Sequence, residues 1–497
     1  MASSAFARLD ELARRLHALD HAVSILAADE ATHMAPGGRE DRADALAVLS
    51  GMRHRMATAP QVADWIGEAQ EEALGEEQAL ALREFRRVHR NLTCLPAGFV
   101  ERQTHARLRC EQLWRDLRAR SDWAGFAPAL EGVVALVREE AALRAEALGL
   151  SPYDALMEQY DPGARVVEVA PLLDDLKTFL AGFVPRALDA QERRLAGRPR
   201  MPLAGSYPVE KQRELALSMM AALGFDLSRG SLSVSHHPFC GGVPSDVRIT
   251  TRYRSDEFLS ALMGSLHETG HALYEQNLPR QWAHWPLGQA RGMAIHESQS
   301  LFVEKQIGRN PAFWRWALPA VERHLGVGLT LDDILPRIHR VERGLIRVDA
   351  DEVTYPLHIV LRFELERALV EGALDVADLP EAWDEKMRAL LGLSTLDNPA
   401  DGPMQDVHWP SAAFGYFPSY TLGAMIAAQL WAAIERDHPD IDGDLAAGRF
   451  ERLNEWRRER IWSLGSRLST PELIRHATGE ALDAAHLKRH LERRYGG

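Results

Sequence analysis

Cysteine is scarce in this chain. Its 497 residues contain only three, Cys94, Cys110 and Cys240, and they are widely spaced. An odd number of scattered cysteines does not supply a disulfide framework, and it is more typical of a reducing compartment than of a secreted protein. The sequence therefore favours free thiols and a cytoplasmic location.

Long apolar runs and an excess of basic residues are also missing. No stretch approaches 18 apolar residues without a charge, so we expect no membrane-spanning segment. Residues 1–26 carry charges throughout a helical pattern and lack the apolar region of a secretory signal. The 58 basic and 71 acidic residues leave a net charge of −13, which argues against a nucleic-acid-binding protein.

Helical periodicity dominates what is present. Hydrophobic residues make up 46% of the chain and charged residues 26%, as in soluble globular proteins, and apolar residues recur every three or four positions. The one convincing β pattern lies near residues 230–253, where β-branched segments flank a turn that contains Gly and Pro. We expect an all-α fold with a small β-hairpin there. It would form a single unit over residues 1–497, with lobes over residues 1–225 and 226–497.

Three predicted helices in the second half carry most of the candidate chemistry. The periodicity predicts them over residues 256–276, 289–307 and 346–371. Pro356 would kink or split the third. Residues 394–415 form a loop rich in Pro, Gly and Asp that precedes another apolar helix.

Residues 267 to 271 read His-Glu-Thr-Gly-His inside the first of these helices. Residues four apart share a helix face, so His267 and His271 can present ring nitrogens to one ion. Glu268 is turned about 100° away, toward a water on that ion. Two solvated histidines on a surface helix are the alternative explanation. We expect His284 and His296 to lie outside the ligand set.

A catalytic zinc site needs a third protein ligand. The metzincin continuation would require Gly and His where Tyr274 and Asn277 stand, which excludes that class. Glu297 follows His271 by 26 residues, and Pro and Gly between them allow the chain to turn back. We therefore predict Glu297 as the third ligand. Glu304 is either a carboxylate that orients a ligand histidine or an exposed helix residue.

This geometry constrains the chemistry. A zinc-type ion lowers the pKa of its water toward 7, and Glu268 would take the proton during attack on a carbonyl and pass it to the leaving amine. The reaction predicted is the hydrolysis of a peptide bond.

At this point the sequence resembles a known family, the M32 metallocarboxypeptidases of the Taq carboxypeptidase type. The likeness extends over essentially the full length, and the shared motifs occur in the order and at the spacing typical of that family. These motifs are His237-Pro-Phe239, Asp246-Val-Arg-Ile-Thr250, the H-E-x-x-H at 267–271, His296-Glu-Ser-Gln299, Ile346-Arg-Val-Asp-Ala-Asp351 and Gly402-Pro-Met-Gln-Asp-Val-His-Trp409.

The resemblance implies an all-helical fold with a cleft, similar to neurolysin and to angiotensin-converting enzyme, and a homodimer. It also implies one zinc or cobalt ion held by His267, His271 and Glu297, with Glu268 as the catalytic carboxylate. The activity it implies is the removal of single C-terminal residues from peptides with broad specificity, usually sparing bonds next to proline.

A carboxypeptidase must recognise a terminal carboxylate, and an arginine is the usual bidentate partner. Arg347, flanked by Asp349 and Asp351, and Arg248, on the predicted strand, are the candidates. Either could instead form a structural ion pair with a neighbouring Asp, and the strand with Arg248 could pair with an extended substrate.

Hydrolysis also needs a donor to the developing oxyanion. Tyr416, Tyr420 and His408 are polar residues among apolar neighbours, and we predict Tyr420 and His408 as the donors. Each could equally be a hydrogen-bonded core residue. His237, near the predicted hairpin turn, would contact substrate or act as a structural cap.

Two other functions remain open from the sequence. An endo-oligopeptidase of the same fold would contain the same metal motif, because the motif does not determine which end of a peptide is cut. A non-catalytic peptide-binding protein with a vestigial metal site is the second, although the intact motif argues against it.

Overall fold

The computed structural model describes residues 4–196 and 205–497, and helices account for most of them. The helices are α1 (Ala5–Thr32), α2 (Arg39–Ala57), α3 (Pro60–Gln70), α4 (Glu76–Thr93), α5 (Ala97–Arg118), α6 (Trp123–Leu148), α7 (Pro152–Met157), α8 (Val166–Leu195), α9 (Val209–Ala222), α10 (Leu259–Gln276), α11 (Met293–Leu301), α12 (Pro311–Leu325), α13 (Leu331–Ile338), α14 (Tyr355–Glu371), α15 (Leu379–Leu391), α16 (Pro418–Asp437), α17 (Ile441–Ala446), α18 (Glu451–Arg460), α19 (Thr470–Thr478) and α20 (Ala485–Tyr495). Because helices dominate the described residues, the predicted all-α class is confirmed. Within the described ranges, no helix is both long and apolar enough to cross a membrane.

The β segment is a three-stranded sheet rather than a hairpin alone. Its strands are β1 (Gly230–Val234), β2 (Phe239–Val243) and β3 (Asp246–Thr251), in the order β1-β3-β2. The predicted hairpin paired residues 231–239 with 246–253 across a turn at 240–245, whereas β1 and β3 pair in parallel and the antiparallel hairpin is β2–β3. The sequence indicated β1 and β3, but β2 contains the Gly-rich segment that was assigned to the turn. Gly242 has φ +82°, a conformation that glycine adopts without strain.

The main hydrophobic core draws on both halves of the chain. One cluster of buried side chains runs from Cys110 to Tyr495 and includes Phe183 and Leu266, which lie on opposite sides of residue 225. A smaller cluster joins α1, α3 and α4 to Trp282. The division into two lobes near residue 225 stays a prediction. The cysteines are free, as expected.

Glycines let three helices of the second half pack closely. A Cβ on Gly270 of α10 would lie 2.3 Å from the carbonyl oxygen of Gln299 in α11. A Cβ on Gly423 of α16 would lie 2.9 Å from the Cβ of Glu297. Both distances are shorter than a Cβ atom keeps from its neighbours in folded proteins, so a larger residue would push the adjacent helix away. Glycine is therefore what allows α11 to lie against both α10 and α16.

Two helix boundaries differ from the predicted ones near these contacts. The helix expected over residues 346–371 begins at Tyr355, and a short 3₁₀ turn, Arg347–Asp349, precedes it. The Oδ1 atom of Asp351 accepts hydrogen bonds from the backbone N–H groups of Val353 (2.8 Å) and Thr354 (3.2 Å), which stabilises this chain reversal. Pro356 lies in the first helical turn, where its missing N–H costs nothing, so it does not kink the helix.

The helix expected over residues 289–307 is divided. Regular α-helix is confined to α11, and Phe302–Ile307 continues it as a π-helix. Such wide turns are frequent at functional sites. This one contains Glu304, whose side chain bears on the candidate site.

Candidate metal and substrate site

A cavity of about 870 Å³ opens between α10, α11, the 3₁₀ turn and the start of α16. We call it the central cavity. Its polar lining includes His267, Glu268, His271, His296, Glu297, Glu304, Lys305, Arg309, Arg337, Arg347, Asp349, Tyr355, Tyr416 and Tyr420. Six of the residues that the sequence singled out for metal binding, catalysis or carboxylate recognition therefore share one cavity.

His267, His271 and Glu297 converge in this cavity. Their candidate ligand atoms lie within 4.8 Å of one another. The Oε2 atom of Glu297 is 3.4 Å from Nε2 of His271 and 3.8 Å from Nε2 of His267. Two imidazoles and one carboxylate form the donor set of a catalytic zinc site that leaves a position open. The residues present therefore fit a divalent metal.

A carboxylate network supports the first histidine. Glu304 Oε2 is 3.0 Å from Nδ1 of His267, which leaves Nε2 to face Glu297. Glu304 in turn pairs with Lys305 and Arg309. This is the arrangement in which a carboxylate orients a metal-binding imidazole. Of the two alternatives for Glu304, the orienting one agrees with this contact.

A third imidazole supports the second histidine. Nδ1 of His271 is 2.6 Å from Nδ1 of His296, and Nε2 of His296 is 2.7 Å from Glu275 Oε1. His296 therefore stands behind His271 and outside the cluster of candidate ligands. Nothing in the sequence connected Glu275 to the site, although it lies one helical turn beyond His271 on α10.

The charges of the site attract a cation. Burial lowers the pKa of His267, but Glu297, Glu304 and Glu268 outweigh it and raise the value to about 9. Burial lowers the pKa of His271 to about 4. Burial would raise the pKa of Glu297, yet His267 and His271 hold it below its usual value. The site thus contains buried carboxylates that a bound cation would stabilise.

Glu268 is buried beside the three candidate ligands. Burial is the main cause that raises its pKa to about 7, and His267 opposes the shift while Glu297 adds to it. A carboxylate with a pKa near 7 can both accept and return a proton at neutral pH. Its position on α10 and its pKa suit an acid–base role.

Arg347 lines the central cavity and forms an ion pair with Asp406. Its Nε and Nη2 atoms donate to the carboxylate of Asp406 at 2.9 and 2.8 Å. The guanidinium also lies over the ring of Tyr420, 4.9 Å from its centroid. The Asp neighbours considered from the sequence, Asp349 and Asp351, are not its partners in the described contacts. The ion pair is buried and links the 3₁₀ turn to the loop before α16.

Arg248 and His237 lie away from the catalytic groups. Arg248 pairs with Asp246 on its own strand, with Nε–Oδ1 at 2.6 Å, and 36% of its side chain is exposed. The described lining of the central cavity includes neither Arg248 nor His237. His237 is exposed with its ring against His236, and the adjacent Pro238 reaches the cavity. The ion-pair alternative for Arg248 agrees with its contacts.

Tyr420 lines the cavity, whereas His408 lies behind it. Nε2 of His408 is 3.1 Å from the hydroxyl oxygen of Tyr420. Burial raises the pKa of Tyr420 to about 12 and lowers that of His408 to about 3. Tyr420 is thus a neutral donor at the cavity surface. His408 is a neutral imidazole that reaches the cavity only through Tyr420.

Asp161, from the N-terminal half, supports the site and was missed by the sequence analysis. Its Oδ1 accepts the backbone N–H of Ala294 at 2.7 Å, and its carboxylate accepts the hydroxyl of Ser419. The backbone N–H of Met293 donates to the carbonyl of Tyr160. These bonds connect the starts of α11 and α16. An Asp-Pro-Gly turn at residues 161–163 was visible, but nothing in it indicated partners more than 130 residues away.

The chain matches a known family of peptidases. The family described as carboxypeptidase Taq (M32) metallopeptidase matches residues 8–495. The chain is 39% identical to thermostable carboxypeptidase 1 of Thermus thermophilus, over 99% of this chain and 98% of the relative.

Two solved structures are similar over 99% of both chains. Metallocarboxypeptidase 1 of Trypanosoma cruzi is 40% identical with a TM-score of 0.96. The M32 carboxypeptidase of Deinococcus radiodurans is 33% identical with a TM-score of 0.94. The full-length match does not favour the endopeptidase and non-catalytic alternatives. The chain belongs to the carboxypeptidase Taq (M32) family and is a metallocarboxypeptidase.

Proposed function

We propose that this enzyme removes single residues from the free C-terminus of peptides, with broad specificity for the residue removed. One observation carries the proposal: a single cavity contains the cluster His267, His271 and Glu297, the buried acid Glu268, and the cation Arg347. A peptide bound in this cavity would place its terminal carboxylate at Arg347 and its last peptide bond beside Glu268 and the metal cluster.

His267, His271 and Glu297 would hold one divalent metal in this proposal. When bound, the metal supplies Lewis acidity, which lowers the pKa of a water and polarises a carbonyl. Zinc is the metal that this donor set suits, and cobalt is the alternative. Glu304 and His296 would keep both ligand imidazoles in the orientation in which Nε2 faces the site.

Glu268 would take a proton from the attacking water and return it to the amine of the departing residue. Burial raises its pKa to about 7, so this carboxylate accepts a proton more readily than an exposed one. Tyr420 would donate its hydroxyl proton to the carbonyl oxygen as negative charge develops there. These roles use a base and a donor that line the same cavity.

Arg347 would recognise the terminal carboxylate. Asp406 occupies the N–H of Nε and one N–H of Nη2, so the two N–H groups of Nη1 and the second N–H of Nη2 are left for the substrate. Arg248 is the second candidate, but its bidentate pair with Asp246 gives it less support. His237 would contact a longer substrate at the rim, next to Pro238.

Two further proposals come from the sequence and the family resemblance. We infer a homodimer from the resemblance and a cytoplasmic location from the free cysteines. The dimer is tested by light scattering against the monomer mass of 55.5 kDa.

The test of the function uses one peptide in two forms, a free acid and its C-terminal amide. The enzyme should release the last residue of the free acid, and the amide should be a much poorer substrate because it lacks the charge that Arg347 binds. A chelator should abolish both reactions, and added zinc should restore them. Cleavage at internal bonds, with equal rates for acid and amide, would instead establish an endopeptidase.

Replacing Glu297 with Ala tests the metal cluster. The expected result is a loss of metal affinity by a factor of about ten or more, since one of three ligands is removed. Metal content per chain after dialysis is the measurement. Asp349→Asn is a matched control, because Asp349 lines the same cavity but lies outside the cluster of candidate ligands. One metal ion per chain in the Glu297 variant would show that Glu297 is not the third ligand. Glu304 would then be the next residue to replace.

A further inference from the structure

His408 occupies a closed position behind Tyr420. Its ring is stacked on Tyr416, with centroids 5.6 Å apart and planes at 27°, and meets the ring of Phe417 edge to face with centroids 4.7 Å apart. Nε2 faces the hydroxyl oxygen of Tyr420 at 3.1 Å. Nδ1 is buried and has no hydrogen-bond partner among the residues that the structure describes. The ring thus has one polar contact, and that contact is with Tyr420.

This environment determines which ring nitrogen carries the proton. Burial keeps His408 neutral, so the ring has a single N–H. A proton on Nδ1 would be a buried donor without an acceptor, which folded proteins avoid more strictly than an unused acceptor. The proton therefore belongs on Nε2, and His408 donates a hydrogen bond to the oxygen of Tyr420.

The ring of Tyr416 packs against that of Tyr420, with centroids 5.1 Å apart and planes at 84°. The hydroxyl oxygen of Tyr420 accepts the hydrogen bond from Nε2 of His408, so the proton of Tyr420 is donated in another direction. Because Tyr420 lines the central cavity, that direction leads into the cavity.

We propose that His408 is a positioning residue whose Nε2–H, donated to the hydroxyl oxygen of Tyr420, directs the O–H of Tyr420 into the central cavity. Because Nε2 of His408 already carries a proton, Tyr420 cannot donate to it, and its proton is available to a group in the cavity. The hydrogen bond that its oxygen accepts and the Arg347 guanidinium over its ring make Tyr420 a stronger hydrogen-bond donor. If the proposed function holds, the acceptor is the carbonyl oxygen of the substrate.

The direction of this hydrogen bond can be measured without any turnover. In full-length, zinc-loaded enzyme labelled with ¹⁵N-histidine, the ¹⁵N chemical shifts identify which ring nitrogen carries the proton. The His408 signals are those that disappear in the His408→Gln variant. We expect a protonated Nε2 and an unprotonated Nδ1. A proton on Nδ1 would overturn the proposal, because Tyr420 would then donate to His408, and this would leave the proposed peptidase activity untouched.

The consequence for catalysis is tested by a double-mutant cycle on the free-acid peptide. His408→Phe keeps the stacked ring but removes the donor, and we expect kcat to fall about tenfold with little change in KM, since the donor acts in the transition state. His408→Gln retains an N–H donor near the position of Nε2 and should recover most of that loss.

The same His408→Phe change in a Tyr420→Phe background should have almost no further effect on kcat, because His408 acts through the Tyr420 hydroxyl. An undiminished tenfold loss in that background would refute the positioning role. A protein without peptidase activity in the wild type would instead refute the proposed function, and the tautomer measurement would still stand.

Discussion

A Glu268→Gln enzyme is expected to bind metal and to lose its turnover. Gln preserves the size of the side chain and most of its geometry but cannot accept the proton of the attacking water. We expect kcat to fall by a factor of about 10² to 10⁴, with KM much less affected. The measurement is steady-state hydrolysis of a free-acid peptide by zinc-loaded enzyme, together with the metal content of the same sample.

The control for this prediction is Asp349→Asn. Asp349 also lines the central cavity, but it is exposed and lies outside the candidate metal cluster. Removing its charge should leave kcat close to the wild-type value. If a metal-loaded Glu268→Gln enzyme keeps near-normal turnover, Glu268 is not the base, and the buried carboxylate has a structural role only.

An Arg347→Ala enzyme is expected to lose its preference for a free C-terminus. A charge-assisted bond in a buried site is worth about 2 to 5 kcal/mol when one partner is removed, so kcat/KM for the free-acid peptide should fall roughly 30-fold to several thousand-fold. The value for the amide should change far less. The ratio of the two constants, acid to amide, is therefore expected to approach one.

Asp406 complicates this substitution, because the alanine leaves its buried carboxylate without its main partner. The double variant Arg347→Ala with Asp406→Asn removes both charges and should show the same loss of preference. Arg248→Ala is the matched comparison, since Arg248 forms the same kind of bidentate pair with Asp246 at an exposed position. If the Arg347 variants keep the wild-type ratio of kcat/KM for acid and amide and the Arg248 variant loses it, Arg248 binds the terminal carboxylate.

Local spacing determined the centre of the site. His267 and His271 share one face of α10 because any helix places residues four apart side by side. Glu297 was predicted by elimination and by the Pro- and Gly-rich turn before the next helix. The packing brings all three together, although the close approach depends on Gly270 and Gly423, whose role was not visible in the sequence.

The supports of the site depend on contacts between distant parts of the chain. Arg347 pairs with Asp406, 59 residues later, rather than with the acids beside it. Asp161 connects α11 to α16 from 133 and 258 residues away. Which distant residues become partners depends on how the helices pack, and this cannot be read from the sequence of a single chain.

The helical class and the H-E-x-x-H string follow from the sequence alone, because each depends on the periodicity of a single helix, and the same string predicts Glu268 as the base. Three features became visible in the folded chain alone: α14 begins at Tyr355, β1 joins β3 in parallel, and His408 lies behind Tyr420 rather than at the cavity surface. Each of these features depends on contacts between segments that are far apart in the chain. In the folded protein, the burial of apolar side chains and the hydrogen bonding of polar groups determine those contacts.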